Sequence, residues 1–108
     1  MRFEVVLTED AVRDLERIYD YIAVQDLPKK ADAVLARIEQ TIASLVALPA
    51  RGAHPPELLA LGIHEYREVF FKPYRIIYRL VDRKVVVYLV TDGRRDMQTL
   101  LAERLLAG

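Results

Sequence analysis

The chain has 108 residues, no cysteine, and 16 basic side chains matched by 16 acidic ones. That length gives one domain, residues 1–108, and an apolar content of 53% gives it a real core and excludes a disordered chain. The missing cysteines exclude disulfides, thiolate catalysis and cysteine-based zinc sites, and a formal net charge of zero removes any general pull toward nucleic acid or anionic lipid.

The charge is unevenly spread. Residues 1–61 hold 7 basic and 10 acidic side chains, residues 62–108 hold 9 and 6, so the halves stand at −3 and +3. His54 and His64 lie too far apart for metal-ligand spacing, so no metal or cofactor is expected. Met1-Arg2-Phe3-Glu4 runs into a strand with no signal-peptide pattern, and the apolar runs fall far below membrane-spanning length. A soluble cytoplasmic protein is the expectation.

In chain order, Arg2–Leu7 (RFEVVL) reads as a short strand at or near a sheet edge. Thr8 suits an N-cap, with Glu9 and Asp10 where the helix dipole favours acids. The helix that follows runs to about Val24. Val12, Leu15, Ile18, Tyr19 and Ile22 form its apolar stripe, with Arg13, Asp14, Glu16, Arg17 and Asp20 on the other side. Asp26 is expected to cap a second helix that starts at Pro28 and ends near Leu48. Its stripe is Ala31, Val34, Leu35, Ile38, Ile42, Leu45 and Val46, and the short connection makes the two helices an antiparallel hairpin. Pro49–His64 reads as a loop with one short turn in its ELLAL piece.

Three antiparallel strands are predicted next: Tyr66–Phe71, Tyr74–Val81 and Lys84–Thr91, punctuated by Lys72-Pro73 and Asp82-Arg83. Two-residue connections set Phe71 opposite Tyr74, Val69 opposite Ile76, Tyr78 opposite Val87 and Ile76 opposite Leu89. One face then carries Val69, Phe71, Tyr74, Ile76, Tyr78, Leu80, Val85, Val87 and Leu89, and needs a helical cover. The other face mixes charges with rings and is expected to meet water or a partner. Gly93 ends the last strand, and Arg94-Arg95-Asp96 leads into a final helix, Met97–Leu106. The fold class is α+β: an N-terminal strand, a helical hairpin, a three-stranded antiparallel meander and a short C-terminal helix in a two-layer sandwich.

Familiar enzyme signatures are missing. Ser44 is the only serine, and neither a glycine-rich phosphate loop nor a GxSxG elbow occurs. What stands out is arginine among rings in the second half: Arg67, Arg75, Arg79, Arg94 and Arg95, with Tyr66 and Tyr88. Such a set can grip phosphate and stack on bases, or it can pair with Glu68 and keep a sheet surface soluble. The residues alone favour the second.

The element order, with Tyr66-Arg67, Tyr74-Arg75-Ile76-Ile77-Tyr78, Val85-Val86-Val87-Tyr88 and Asp92-Gly93-Arg94-Arg95-Asp96-Met97, resembles the RelE/ParE superfamily of type II toxin–antitoxin systems. The early Asp14-Leu15 and Ile18-Tyr19-Asp20-Tyr21-Ile22 pattern fits the same superfamily over essentially the whole chain. RelE-like members cleave messenger RNA on the ribosome with a basic cluster and, in several, a last-helix tyrosine. Mapped here, Arg67, Arg75 and Arg94 or Arg95 fall at basic positions. Val69 stands where the pattern has another base, and Met97–Gly108 holds no tyrosine or histidine. General acid–base catalysis needs a titratable group, which arginine does not readily supply. ParE-like members share the fold, carry a longer helical hairpin such as residues 8–48, lack the nuclease set and inhibit DNA gyrase.

The resemblance therefore implies a ParE-like toxin. It is neutralised by an antitoxin whose segment wraps it into a hetero-oligomer, with Arg75, Arg79, Tyr88, Arg94 and Arg95 as candidate target contacts. Sequence-specific DNA binding would belong to the antitoxin. The alternatives are a ribosome-dependent ribonuclease acting through Arg67, Arg75 and Arg94, and a non-toxic binding module of the same fold.

Overall fold

In the computed structural model, residues 2–106 are described. Strand β1 is Glu4–Leu7, helix α1 Glu9–Gln25 and helix α2 Pro28–Ala43, extended by a 3-10 turn at Ser44–Val46. A single helical turn, α3, follows at Pro56–Leu59. Strands β2 (Tyr66–Phe71), β3 (Tyr74–Val81) and β4 (Lys84–Asp92) form the meander. Helix α4, Met97–Leu101, runs on into a π-helical turn, Ala102–Leu106.

The sheet order is β1-β4-β3-β2, with β1 parallel to β4 and the other pairs antiparallel. The edge position expected of the first strand holds. The α1–α2 hairpin lies across one face and buries Ala11, Ile38, Ile42 and Leu45 against Val69, Ile76, Tyr78, Val85, Val87 and Val90. Tyr78 is fully buried because its hydroxyl donates to Pro49 O (2.6 Å) and accepts from Gly52 N (3.1 Å), leaving no unpaired polar atom.

The predicted pairings Phe71–Tyr74, Val69–Ile76 and Tyr78–Val87 hold. The fourth does not: Ile76 pairs with Val90, and Leu89 pairs with Ile77. A β-bulge between Ile77 and Tyr78 shifts the register there, so Tyr88 is passed over. It sends Leu89 to the far side of the sheet and gives its place to Val90. On that far side Leu58, Ile77, Leu89, Met97 and Leu101 make a second, smaller cluster under α3 and α4. The mixed face is thus partly covered, not open throughout.

Two helical details also differ from expectation. The buried positions of α1 are Ala11 and Asp14, while Val12 is 43% exposed. The N-cap of α2 is Leu27, without a side-chain bond; Asp26 closes α1 and pairs with Lys30 at 2.9 Å. Thr8 does cap α1 by accepting from Ala11 N (3.1 Å), and Asp96 caps α4 by accepting from Thr99 N (3.2 Å).

Candidate functional site

The end of β4 is shaped by a short polar turn. The backbone N–H of Gly93 donates to Pro73 O (2.8 Å), and Asp92 Oδ1 accepts from the backbone N–H of Arg94 (2.9 Å), folding the chain back in an Asx-type turn. Gly93 is required there: a Cβ would sit 2.8 Å from Arg75 Cδ and 2.9 Å from Arg75 Cγ. The turn sets Arg94 and Arg95 at the rim of an open cleft of about 570 Å³ between α1 and the β4 end. Ile18 and Val90 line it on the apolar side, with Tyr21, Tyr74 and Arg17 also on its walls.

The cleft is electrostatically biased. Arg94 pairs with Asp92, which holds the Asp92 carboxyl below its usual range. Asp14 is already committed elsewhere: it accepts from Val90 N (3.0 Å) and takes two bonds from Arg104 (3.0 and 2.8 Å). Arg17 lies 3.7 Å from Asp14 with its side chain 72% exposed. Arg95 is exposed and forms no ion pair among the described residues. Arg17 and Arg95 are therefore the surplus cations, one on each wall.

Of the sequence candidates, only Arg94 and Arg95 come together here. Arg75 lies under the sheet's other face, nearly buried. It donates to Glu68 (2.7 Å) and, through two nitrogens, to Glu57 of α3 (2.8 Å each). The Glu57 bonds come first among the influences that hold its guanidinium charged. Burial pushes the Glu68 carboxyl up despite Arg75, whereas Arg75 draws the Glu57 carboxyl down. Arg79 and Tyr88 form a separate patch with Tyr66. The Arg79 guanidinium lies 5.8 Å from the Tyr66 ring, which meets the Tyr88 ring edge-on at 5.5 Å.

The nuclease candidates Arg67, Arg75 and Arg94 do not converge. Arg67 donates to Ala50 O (3.1 Å) and Gly52 O (2.8 Å), which fastens the loop before β2. Each of the three serves a different local structure. Sequence reasoning missed Arg17, Tyr21 and Tyr74 as cleft residues, the Asp14–Arg104 pair beside them, and Glu57 as the partner of Arg75. Helical spacing places Arg17 and Tyr21 one turn apart, but only the fold brings the β4 end beside them.

The model of the ParE toxin of the type II toxin–antitoxin system parDE matches residues 5–97. The chain belongs to the ParE toxin family. Toxin ParE3 of Caulobacter vibrioides is 29% identical over 100 residues, covering 93% of this chain and 96% of the relative. The fold is that of a chain of the chromosomal ParDE system of P. aeruginosa, with a TM-score of 0.71 at 21% identity, covering 83% of this chain and 95% of that one. A chain of the RelBE2 toxin–antitoxin complex of Mycobacterium tuberculosis superposes with a TM-score of 0.60 at 24% identity, covering 85% and 99%. This ParE-family chain thus has the superfamily's α+β fold as well as the family's sequence pattern.

Proposed function

We propose that this ParE-family toxin acts in the cytoplasm by binding DNA gyrase without catalysis, and that a cognate antitoxin neutralises it by covering the binding surface. The observation that carries the reading is the cleft at the end of β4. Arg17 and Arg95 offer surplus charge there, with Arg94 held on Asp92 at the rim, beside Tyr21 and Tyr74, a surface for gripping a partner. Arg79 and Tyr88 supply a second contact patch, and Arg75, pinned by Glu57 and Glu68, packs close to the backbone of Gly93. The relatives named ParE, ParDE and RelBE2 are toxins or toxin–antitoxin systems, which supports an antitoxin partner. No helix among the described residues is long and apolar enough to cross a membrane.

The ribonuclease reading asks for a basic cluster around one scissile bond. Arg67, Arg75 and Arg94 are instead bound to loop carbonyls, to Glu57 and Glu68, and to Asp92. The test is gyrase supercoiling with increasing amounts of folded protein, beside a translating extract probed for messenger RNA cleavage. Blocked supercoiling with intact RNA is expected. Normal supercoiling at large molar excess sinks the gyrase reading, and cleaved RNA installs the ribonuclease.

A further inference from the structure

His54 and His64, which their spacing in the sequence sets apart, come together in the fold. Their rings meet edge to face, with centroids 6.1 Å apart and planes at 79°. Short-range chemistry folds back the segment between them. His54-Pro55-Pro56 leads into α3 with Pro56 in its first turn, where proline fits. Gly62, at φ +77°, then closes α3 in a left-handed turn. Its N–H donates to Leu59 O (2.9 Å) and that of Ile63 donates to Leu58 O (3.0 Å), the paired bonds of a Schellman cap. Leu58 and Ile63 pack in the same small cluster on the far side of the sheet, which holds the reversal in place. His64, the next residue, is thereby returned beside His54.

The two rings are held differently. His54 is half-buried, and its Nδ1–H donates to Tyr66 O (3.2 Å), which leaves Nε2 with a free lone pair. The preceding residue, Ala53, is bridged to Glu68 of β2 in both directions, at 3.1 and 2.7 Å, so His54 rests on the sheet edge. His64 is exposed, and its ring can turn on its side-chain torsions. A carbonyl on the second nitrogen is what fixes the tautomer and direction of a metal-binding imidazole. With metal–nitrogen bonds of about 2.0–2.1 Å, two imidazoles on one ion stand with centroids roughly 5–6.5 Å apart. The observed separation falls in that range.

We infer that His54 and His64 form a two-imidazole site for a divalent transition-metal ion, with Cu2+ bound most tightly. The donors are neutral nitrogens, which suit Cu2+, Zn2+ and Ni2+ and not the oxygen-seeking Mg2+ and Ca2+. No group of three or more His, Cys, Asp or Glu side chains that could hold a metal occurs among the described residues, so water completes the coordination. Such a site exchanges its ion readily and is not needed for folding. The bound ion ties together the two ends of the segment that carries Glu57, and Glu57 accepts two bonds of 2.8 Å from Arg75. Metal thus steadies α3 and the Arg75 network, away from the cleft at the end of β4. The site stands independently of the toxin's target.

The test uses the folded chain without a histidine tag, since His54 and His64 are its only histidines. Isothermal titration with copper(II) chloride should show saturable binding of a single ion per chain. Zinc chloride should bind more weakly, and magnesium chloride should not bind. In the proton NMR spectrum the ring signals of both histidines should broaden together, because the paramagnetic ion lies between them. His64→Gln should weaken copper binding by about tenfold or more, since one of two protein donors is lost. His64 is exposed, so this variant should melt like the metal-free parent. Copper should raise the melting midpoint of the parent and not that of the variant.

Equal copper affinity in the parent and in His64→Gln overturns the inference. So does the absence of saturable binding by the well-folded parent. Broadening of one histidine alone would mean a single-imidazole contact and would overturn the paired site as well.

Discussion

Arg104 holds Asp14 through two hydrogen bonds, 3.0 and 2.8 Å long, joining the C-terminal turn to α1 across 90 positions of chain. The same guanidinium donates to Tyr88 O (2.9 Å), and the same carboxylate accepts from Val90 N (3.0 Å). The pair therefore grips β4 on both sides of Leu89, where the bulge has disturbed the regular ladder. Asp14 is buried by this arrangement and can stay so because every bond it needs is made.

Removing Arg104 should strand a buried carboxylate. Arg104→Ala is expected to cost about 2–3 kcal/mol, less than a fully buried pair because Arg104 retains some solvent contact. Asp14→Asn keeps an acceptor for Val90 and should cost less. Urea unfolding midpoints measure both, and a double variant losing much less than the two singles combined would establish the coupling. Equal, negligible losses would mean that the C-terminal turn is not held this way.

Glu57 and Glu68 share Arg75 yet should show opposite pH signatures. Arg75 holds the Glu57 carboxyl below its ordinary 4.5. Its stabilising contribution is thus present above that value and lost as pH falls through the folded one. Burial holds the Glu68 carboxyl above 4.5. Its contribution is full below that value and lost as pH rises through the folded one. Glu57→Gln should therefore cost more stability at neutral pH than in acid, and Glu68→Gln less. Denaturant titrations at both pH values decide it, and parallel pH profiles for the two variants would contradict the assignment.

The two tight glycines should differ in their tolerance. Gly93→Ala pushes a methyl group into the aliphatic part of Arg75, which its carboxylates pin, and should cost about 1–3 kcal/mol. Gly52→Ala meets Tyr78 Oη at 2.6 Å and the backbone carbonyl of Glu68 at 2.7 Å, and should cost more. Thermal melts rank them, and the reverse order would show that Tyr78 yields more easily than Arg75.

Ile76→Asp should unfold the domain, because Ile76 is fully buried under the hairpin and an unpaired charge there consumes much of a total of about 5–15 kcal/mol. Leu89→Ala and Val90→Ala should each destabilise by roughly 1–4 kcal/mol although they are neighbours on one strand. A cooperative, unchanged melt for either alanine variant would argue against the bulge.

Local pattern carried the fold a long way. The strands Tyr66–Phe71 and Tyr74–Val81 have the bounds their turns suggest, and β4 runs one residue further, to Asp92. The bulge escaped because Val85-Val86-Val87-Tyr88-Leu89-Val90 is apolar in both phases of a period of two, so no alternation marks where the register changes. Asp14 escaped for a different reason. Helical periodicity assigns an acid to the solvent side, and only Arg104, far along the chain, overrides that. Arg94 and Arg95 were legible as a pair of cations, but Arg17 and Tyr21, their counterparts across the cleft, became so only once α1 lay beside β4.

The parallel pairing of β1 with β4 also governs when the molecule can exist at all. Glu4 is aligned with Lys84, and Asp14 awaits Arg104. As the chain emerges from the ribosome, its first strand and first helix have no partners in the sheet until most of the sequence has been made. Closing such distant contacts is slow compared with forming the hairpin between α1 and α2. An interrupted translation product ending before Lys84 lacks the surface on which β1 and the cleft are built. A chain stopped there keeps its helical hairpin but has neither the partner strand of β1 nor the β4 wall of the cleft.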